Sequence, residues 1–151
     1  MRVREKNISN IEIHKDCKVI YEKAFYNCNK LKCITIPEKV LQVGQEAFKQ
    51  CLNLKKVVLS KNLSTIDDCA FADCEKLKEI QFPNKQISIN CGAFMGCASL
   101  KVLELNNATV GDNAFNGCKK LKKLKIGASS NLYGYYIFSD CPSLKEITLP
   151  K

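Results

Sequence analysis

The 151-residue chain contains no tryptophan and only one histidine, His14. No run of about 18 apolar residues occurs, and no apolar stretch follows the basic start at residues 1–7. These absences predict neither a membrane-spanning helix nor a secretory signal peptide. Nucleophilic catalysis needs a base within reach of a nucleophile, and one histidine without a clustered partner does not provide it. We therefore expect a protein that is not an enzyme and has no catalytic residues.

Other common binding motifs are missing as well. The sequence has neither the Gly-x-Gly-x-x-Gly pattern nor a Walker phosphate loop, which predicts no nucleotide cofactor. No Cys-x-x-Cys pair occurs beside the single histidine, which argues against a zinc site. Arginine is scarce too. The chain has a net charge of +9 and 24 lysine and arginine residues, of which only Arg2 and Arg4 are arginines. Because phosphate-reading sites favour the arginine fork, the lysine excess is weak evidence for nucleic acid, although it can attract acidic partners.

What the chain does contain is one short pattern written six times. A pair made of a small or aliphatic residue and phenylalanine is followed three residues later by cysteine, and after three more residues by leucine. Successive pairs are 23 residues apart, with one interval of 21. A fixed period of this length is typical of a solenoid, in which each unit packs on its neighbours. The pairs are Ala24-Phe25, Ala47-Phe48, Ala70-Phe71, Ala93-Phe94, Ala114-Phe115 and Ile137-Phe138.

The repeat predicts one domain, 1–151, and a path for each coil. Starting at the leucine after the cysteine gives units 8–30, 31–53, 54–76, 77–99, 100–120, 121–143 and a partial seventh, 144–151. Apolar and polar residues alternate towards the end of 31–36, which predicts a short strand, and successive strands should pair into a parallel sheet of about seven. A second apolar pair, Val40 and Val43, predicts an extended return. Ala47-Phe48 predicts a short helical or 3₁₀ turn that carries both side chains inward.

Turn-forming residues follow the second apolar pair of each unit. Small or short polar side chains tolerate positive φ, so we expect the chain to turn here with positive φ. The position before each repeat cysteine is similarly rich in turn formers, with Gln50 as the exception. The residues expected to turn the chain after the apolar pair are Gly44, Asp67, Asn90, Gly111 and Gly134.

Six of the ten cysteines occupy one position of the repeat and should stack as a ladder along the solenoid. Neighbouring coils lie roughly 4.8 Å apart, but stacked side chains point in parallel instead of towards each other. We therefore predict buried, inert thiols and no disulfides. Cys17 also falls in an apolar position, whereas Cys33 falls in a strand position that faces solvent. The ladder consists of Cys28, Cys51, Cys74, Cys97, Cys118 and Cys141.

With the whole pattern laid out, the chain resembles the BspA-like leucine-rich repeat family. The stretch 31–51, LKCITIPEKVLQVGQEAFKQC, matches the family pattern of 23 residues at nearly every position, and the likeness extends over 8–151. The resemblance implies an α/β repeat solenoid, a right-handed superhelix with the parallel sheet on its concave face. It implies secreted or cell-surface proteins that act in adhesion or host contact, without family-wide catalytic residues. The sequence itself predicts no signal peptide ahead of the repeats.

The resemblance also implies where a partner binds, because leucine-rich repeat proteins commonly bind on the concave strand face. The outward strand positions mix charge and polarity, which suits a protein partner better than a repetitive polyanion. An unoccupied, solvated sheet is the plain alternative. The candidate partner-binding residues are Lys56, Val58, Glu79, Gln81, Val102, Glu104, Lys123 and Lys125.

One position of the repeat holds lysine in six of seven units, and stacked coils should align these lysines in a column at the rim of the strand face. Such a column could hold an acidic polymer, or it could be simple solvated charge that discourages aggregation. Tyr135 and Tyr136 are further rim candidates, whereas Tyr133 and Ile137 fall in core positions. The candidate rim contacts are Lys55, Lys78, Lys101, Lys122, Tyr135 and Tyr136.

Three functions remain open from the sequence. The first is a protein-binding or adhesion module that uses its concave face. The second is a structural protein whose uncapped solenoid ends associate with each other, because an open last strand at 144–150 can pair with another chain. The third is a basic surface that binds polyanions.

Overall fold

The computed structural model describes residues 9–150 as a parallel β-solenoid of about six coils. Ile8 and Lys151, which belong to the first and last predicted units, lie outside the described residues. Within the described part, no helix has the length and apolar character that a membrane crossing requires. The strands are β1 (Val19–Ile20), β2 (Cys33–Thr35), β3 (Gln42–Val43), β4 (Lys56–Val58), β5 (Thr65–Ile66), β6 (Ile87–Ile89), β7 (Val102–Leu105), β8 (Ala108–Val110), β9 (Lys123–Ile126), β10 (Asn131–Leu132) and β11 (Glu146–Thr148).

All strand pairs are parallel, but their distribution differs from the prediction. The second apolar segments, expected to be a simple extended return, form the longest sheet, in the order β1-β3-β5-β6-β8-β10. The strands that follow the repeat leucines form two smaller sheets, β2-β4 and β11-β9-β7. The sequence predicted about seven strands in one sheet after the repeat leucines. This prediction is wrong for residues 9–150, where the leucines are followed by five strands in two sheets.

The gap between the two smaller sheets falls in the fourth unit. Glu79 forms only an isolated bridge to Lys56, and the ladder starts again at Val102. In this coil the Phe82 ring lies edge-on to Phe94, with centroids 5.6 Å apart, and the next residue, Pro83, has no N–H to donate. This coil therefore lacks a donor at the end of its strand segment.

The six Ala-Phe segments are turns and not helices, so the α/β part of the predicted class does not hold for residues 9–150. Each segment has positive φ at two positions, before its Ala or Ile and before its Cys. A right-handed helix cannot contain such residues without a break. The residues with positive φ are Lys23, Asn27, Glu46, Gln50, Cys69, Asp73, Gly92, Gly96, Asn113, Gly117, Tyr136 and Asp140.

Backbone N–H groups in these segments alternate between two kinds of partner. The N–H of Phe48 donates to Ala70 O of the next coil at 2.7 Å, whereas the N–H of Lys49 donates to Glu46 O of the same coil at 3.2 Å. Every second donor thus reaches the neighbouring coil, and the segment works as a third hydrogen-bonded side of the solenoid. This gain offsets the cost of left-handed backbone at residues other than glycine.

The expected turn glycines serve a different purpose from the one predicted. Gly44 and its equivalents are not among the residues with positive φ, which lie two positions later. At Gly44 an added Cβ would come within 2.7 Å of Ile20 O in the preceding coil. The glycine therefore permits close approach of two backbones, where a side chain would clash.

The core is the predicted ladder of repeated side chains. The Ala-Phe pairs, the repeat leucines and the apolar strand residues are buried along the central coils. The phenylalanine rings stack one above another, with centroids 4.9 Å apart at Phe25 and Phe48 and 5.8 Å apart at Phe115 and Phe138. Successive coils are therefore separated along the solenoid axis by about the distance between neighbouring strands of a sheet.

The cysteine ladder lies in the core as predicted, and from Cys51 to Cys141 each ladder thiol donates to a backbone carbonyl oxygen of the preceding coil. No disulfide links cysteines within residues 9–150, and the ladder members are buried except Cys141, which is half-buried. The thiol of Cys51 donates to Phe25 O at 3.1 Å, and that of Cys74 donates to Phe48 O at 3.2 Å. Burial raises the pKa of Cys51 to about 12 and raises that of Cys74 well above its ordinary range.

The sixth unit contains a one-residue bulge that corrects the prediction for Tyr133. The core residue before the turn is Val110 in the fifth coil, and its strand partner in the sixth coil is Leu132. Tyr133 is therefore an extra residue ahead of Gly134, and it is 58% exposed instead of lying in the core. Ile137, the other residue of this unit predicted to be in the core, is buried.

Deleting Tyr133 should leave the fold intact, because Leu132 would then precede Gly134 directly, as Val110 precedes Gly111. We expect the free energy of unfolding to change by less than about 1 kcal/mol. Deletion of Val43, the buried residue before Gly44, is the control and should cost at least about 2 kcal/mol or prevent folding. Urea unfolding followed by circular dichroism measures both, and equal losses would contradict the bulge.

The ladder thiols should resist alkylation even at pH 9. Cys51 and Cys74 stay protonated there because burial raises their pKa, and the fold also shields them. Cys33, which is exposed, should react rapidly with iodoacetamide in the native protein. Mass spectrometry of native and guanidinium-unfolded samples checks this, with ten modified thiols expected after unfolding. Rapid native modification of Cys74, or fewer than ten thiols after unfolding, would refute the arrangement.

Candidate functional site

The sequence-predicted partner-binding residues lie side by side on one surface, here called the strand face. It consists of the outward side chains of β2, β4, β7, β9 and β11, together with Glu79 and Gln81. The parallel register places Val102 beside Lys123 and Glu104 beside Lys125. Because side chains alternate along a strand, the residues between them point into the core. All eight of the predicted residues are exposed.

Charges on the strand face compensate each other between coils. Lys123 Nζ lies 2.9 Å from a carboxylate oxygen of Glu146, and Lys125 Nζ lies 3.9 Å from one of Glu104. Glu146 also occupies an outward strand position, and its place 23 residues after Lys123 is the sequence signal that pairs the two. Exposed pairs of this kind add little stability, but they leave this part of the face without strong net charge.

Two valines interrupt the polar character of the strand face. Val58 is 44% exposed and Val102 is 47% exposed, each at the edge of its sheet fragment nearest the gap at 77–83. The intervening coil presents Glu79 and Gln81 there, both exposed. An exposed apolar side chain on each side of a polar coil is an arrangement that a protein surface can cover.

The predicted rim lysines form a continuous series, here called the lysine column. Each member comes directly after a repeat leucine, and all six are exposed. Backbone hydrogen bonds hold neighbouring members at one coil spacing: Lys55 N–H donates to Lys32 O at 2.7 Å, and Lys122 N–H donates to Lys101 O at 2.8 Å. Among residues 9–150, no carboxylate lies within 4.0 Å of their ammonium groups. The lysine column consists of Lys32, Lys55, Lys78, Lys101, Lys122 and Lys145.

The tyrosines of the sixth unit lie elsewhere. Tyr135 and Tyr136 follow the bulged strand β10, at the turn between the six-stranded sheet and the Ala-Phe segment, and both are exposed. The N–H of Tyr135 donates to Asp112 Oδ1 at 2.7 Å. Tyr133 joins them at the surface. The structure therefore does not bring Tyr135 and Tyr136 to the rim that carries the lysine column.

Residues 9–150 present no arrangement typical of metal chemistry. They contain no group of three or more His, Cys, Asp or Glu side chains that could hold a metal ion. His14 is exposed, and its Nδ1 accepts a hydrogen bond from Asp16 N–H at 3.3 Å. This contact is local to one turn.

The sequence matches one family description over nearly its whole length. Residues 4–109 and 87–151 match the BspA type leucine rich repeat region, in six copies. The repeat positions that carry this likeness are those that form the core ladder described above. No curated protein matches the sequence.

Two solved structures share this architecture. A leucine-rich repeat protein of T. pallidum is 28% identical, with a TM-score of 0.88 over 99% of this chain and 73% of that one. The pneumococcal vaccine antigen PcpA is 31% identical, with a TM-score of 0.71 over 87% of this chain and 34% of that one. The chain thus corresponds to about a third of the length of the pneumococcal protein.

Proposed function

The chain belongs to the BspA-type leucine-rich repeat family, and from this premise we propose that it is a non-enzymatic module that binds a protein partner through its strand face. A role in adhesion at the cell surface or after secretion, which the family resemblance implies, is part of the proposal. The partner contacts are those named from the sequence, with Val58 and Val102 as the apolar anchors.

The exposed valines are the observation that carries this proposal. Lys123 and Lys125 of the same face already have acidic neighbours in adjacent coils, so the face has little unpaired charge to offer a polyanion. Burial of Val58 and Val102 by a partner would remove apolar surface from water, which is the main favourable term in protein association. The surrounding polar residues would then form the rim of the contact.

Replacing both valines by glutamate should weaken binding strongly if the strand face is the contact, because a partner would then have to bury two charges. Purified protein would be tested by surface plasmon resonance against a panel of immobilised extracellular proteins, and saturable binding to at least one member is expected. The V58E/V102E variant should bind that protein about tenfold more weakly or worse, as expected for loss of central contacts. Circular dichroism would confirm that both proteins are folded.

Leu41 and Leu52 provide the matched control, because they are also exposed apolar residues but lie away from the strand face. The L41E/L52E variant changes the net charge by the same amount and should bind as the unmodified protein does. Equal weakening in both variants, or no saturable binding to any panel member, would count against the proposal.

Self-association through the last coil is a second candidate, supported by a separate observation. Ile147 and Leu149 occupy apolar repeat positions but are 56% and 64% exposed. Within residues 9–150, β11 pairs only with β9, so its other edge has free backbone groups. If two copies met antiparallel about Ile147, Glu146 of one would lie opposite Thr148 of the other, with no like charges opposed.

Light scattering as a function of concentration tests this second candidate. The mass of the unmodified protein should rise towards that of a dimer, and Ile147→Lys should remain a monomer because a charge then lies in the contact. Thr148→Lys, with the same charge on the outward side of β11, should associate nearly as the unmodified protein does. A monomer at every concentration would exclude the contact.

A further inference from the structure

We propose that the lysine column binds a linear anionic polysaccharide, with sulfate or carboxylate groups, laid along the axis of the solenoid. This inference goes beyond the proposed protein-binding function, because it concerns a different surface and a different class of ligand. It depends on the register of the column, on the absence of acidic partners for it, and on the position of the exposed aromatic residues.

The column has the geometry of a one-dimensional array. Six ammonium-bearing side chains follow one another at successive coils, and ring stacking in the core gives a rise of 4.9–5.8 Å per coil. The array therefore extends over roughly 25 Å. Like charges aligned at this spacing create a continuous strip of positive potential, which attracts a chain of anionic groups more strongly than scattered lysines do.

A second, sparser series of lysines reinforces this strip. Lys30, Lys76 and Lys120 stand two positions before Lys32, Lys78 and Lys122, on every second coil, and all three are exposed. The coils between them have Asn53, Ser99 and Ser143 at the same position. The strip is thus bordered on one side by alternating charged and neutral polar groups, which can donate hydrogen bonds to sulfate, carboxylate or hydroxyl oxygens.

Acidic residues gather at a different corner of the coil. The turn that follows the six-stranded sheet contains Asp67, Asp68 and Asp112, and their carboxylates accept hydrogen bonds from the adjacent coil. This turn is therefore an acidic corner of the coil, although Glu79 and Glu146 of the strand face directly follow two members of the lysine column. A polyanion is drawn towards the lysine corner and away from the turn after the sheet.

The choice of a polysaccharide over a nucleic acid rests on what surrounds the column. Single-stranded nucleic acids are commonly bound by exposed aromatic side chains on which bases stack. In residues 9–150 the most exposed aromatic residues, Tyr21, Tyr133, Tyr135 and Tyr136, lie beyond the six-stranded sheet and not beside the column. The column also contains lysine alone, without the arginine fork that suits phosphate.

Binding of a heparin decasaccharide, compared with a dT oligonucleotide of similar charge, tests the inference. Isothermal titration calorimetry at several salt concentrations should show heparin binding that weakens as salt rises, because bound counterions are released. The K55Q/K78Q/K101Q variant should bind about tenfold more weakly or worse. Its slope of log K against log salt should fall by roughly two to three.

The matched control removes the same charge from another corner. Lys39, Lys61 and Lys85 are exposed at the turn between the two sheet sides. K39Q/K61Q/K85Q has the same net charge as the column variant and should keep nearly all of the heparin affinity and salt slope.

Selective loss in the column variant supports the site, and weaker binding of the oligonucleotide supports the ligand class. Equal loss in the two triple variants would show a general effect of net charge and overturn the site. Oligonucleotide binding as tight as that of heparin would overturn the assignment to polysaccharide, and no heparin binding at low salt would overturn the inference altogether.

Discussion

Backbone hydrogen bonding between successive coils is the constraint on which the rest of the structure depends. Successive coils are bonded to each other at the six-stranded sheet and at the Ala-Phe turns, and outside the gap at 77–83 most are also bonded at the strands after the repeat leucines. A coil that followed another path would leave donors and acceptors unpaired in two neighbours at once, at a cost of about 1–3 kcal/mol for each buried group. Identical paths then force identical interior positions, which is why Phe48 stacks on Phe71 and why Cys74 repeats the thiol contact of Cys51.

The sequence was sufficient to predict this interior because each position was sampled in several units. A single alanine or cysteine does not indicate whether its side chain is buried, but the same residue at a fixed period does. The repeated apolar positions are indeed buried from Ala24 to Leu124. The conformation of the Ala-Phe segment was not predictable in this way. Its i to i+3 hydrogen bonds are common to a 3₁₀ helix and to the observed turns, and positive φ at Lys23, Glu46 and Gln50 has no signal in those residue types.

The positions of the candidate surfaces were also predictable from the repeat, whereas local departures from the repeat were not. Period-two alternation identified the outward strand positions, and the fixed period identified the lysine column. Tyr133 was assigned incorrectly because two apolar residues, Leu132 and Tyr133, precede Gly134, and counting from the repeat leucine selects the second. Only the strand register shows that Leu132 lies beside Val110. The leucine-side strands divide into two sheets at the coil in which Phe82 lies edge-on to Phe94, and repeat spacing does not encode this local departure.

The strand face and the lysine column both lie on the side of the repeat leucines, but their charges are arranged differently. A coil rise near 5 Å brings equivalent positions close together, so alternation of sign between coils is the more stable arrangement for exposed charge. The strand face follows this rule where Lys123 meets Glu146 and Lys125 meets Glu104. The lysine column does not, although it adjoins that face and is subject to the same spacing. Solubility requires net charge but not one sign at one position of the repeat. The uniform column is therefore the feature of this surface that folding and solubility leave unexplained, and it is the one that an extended anionic ligand would explain.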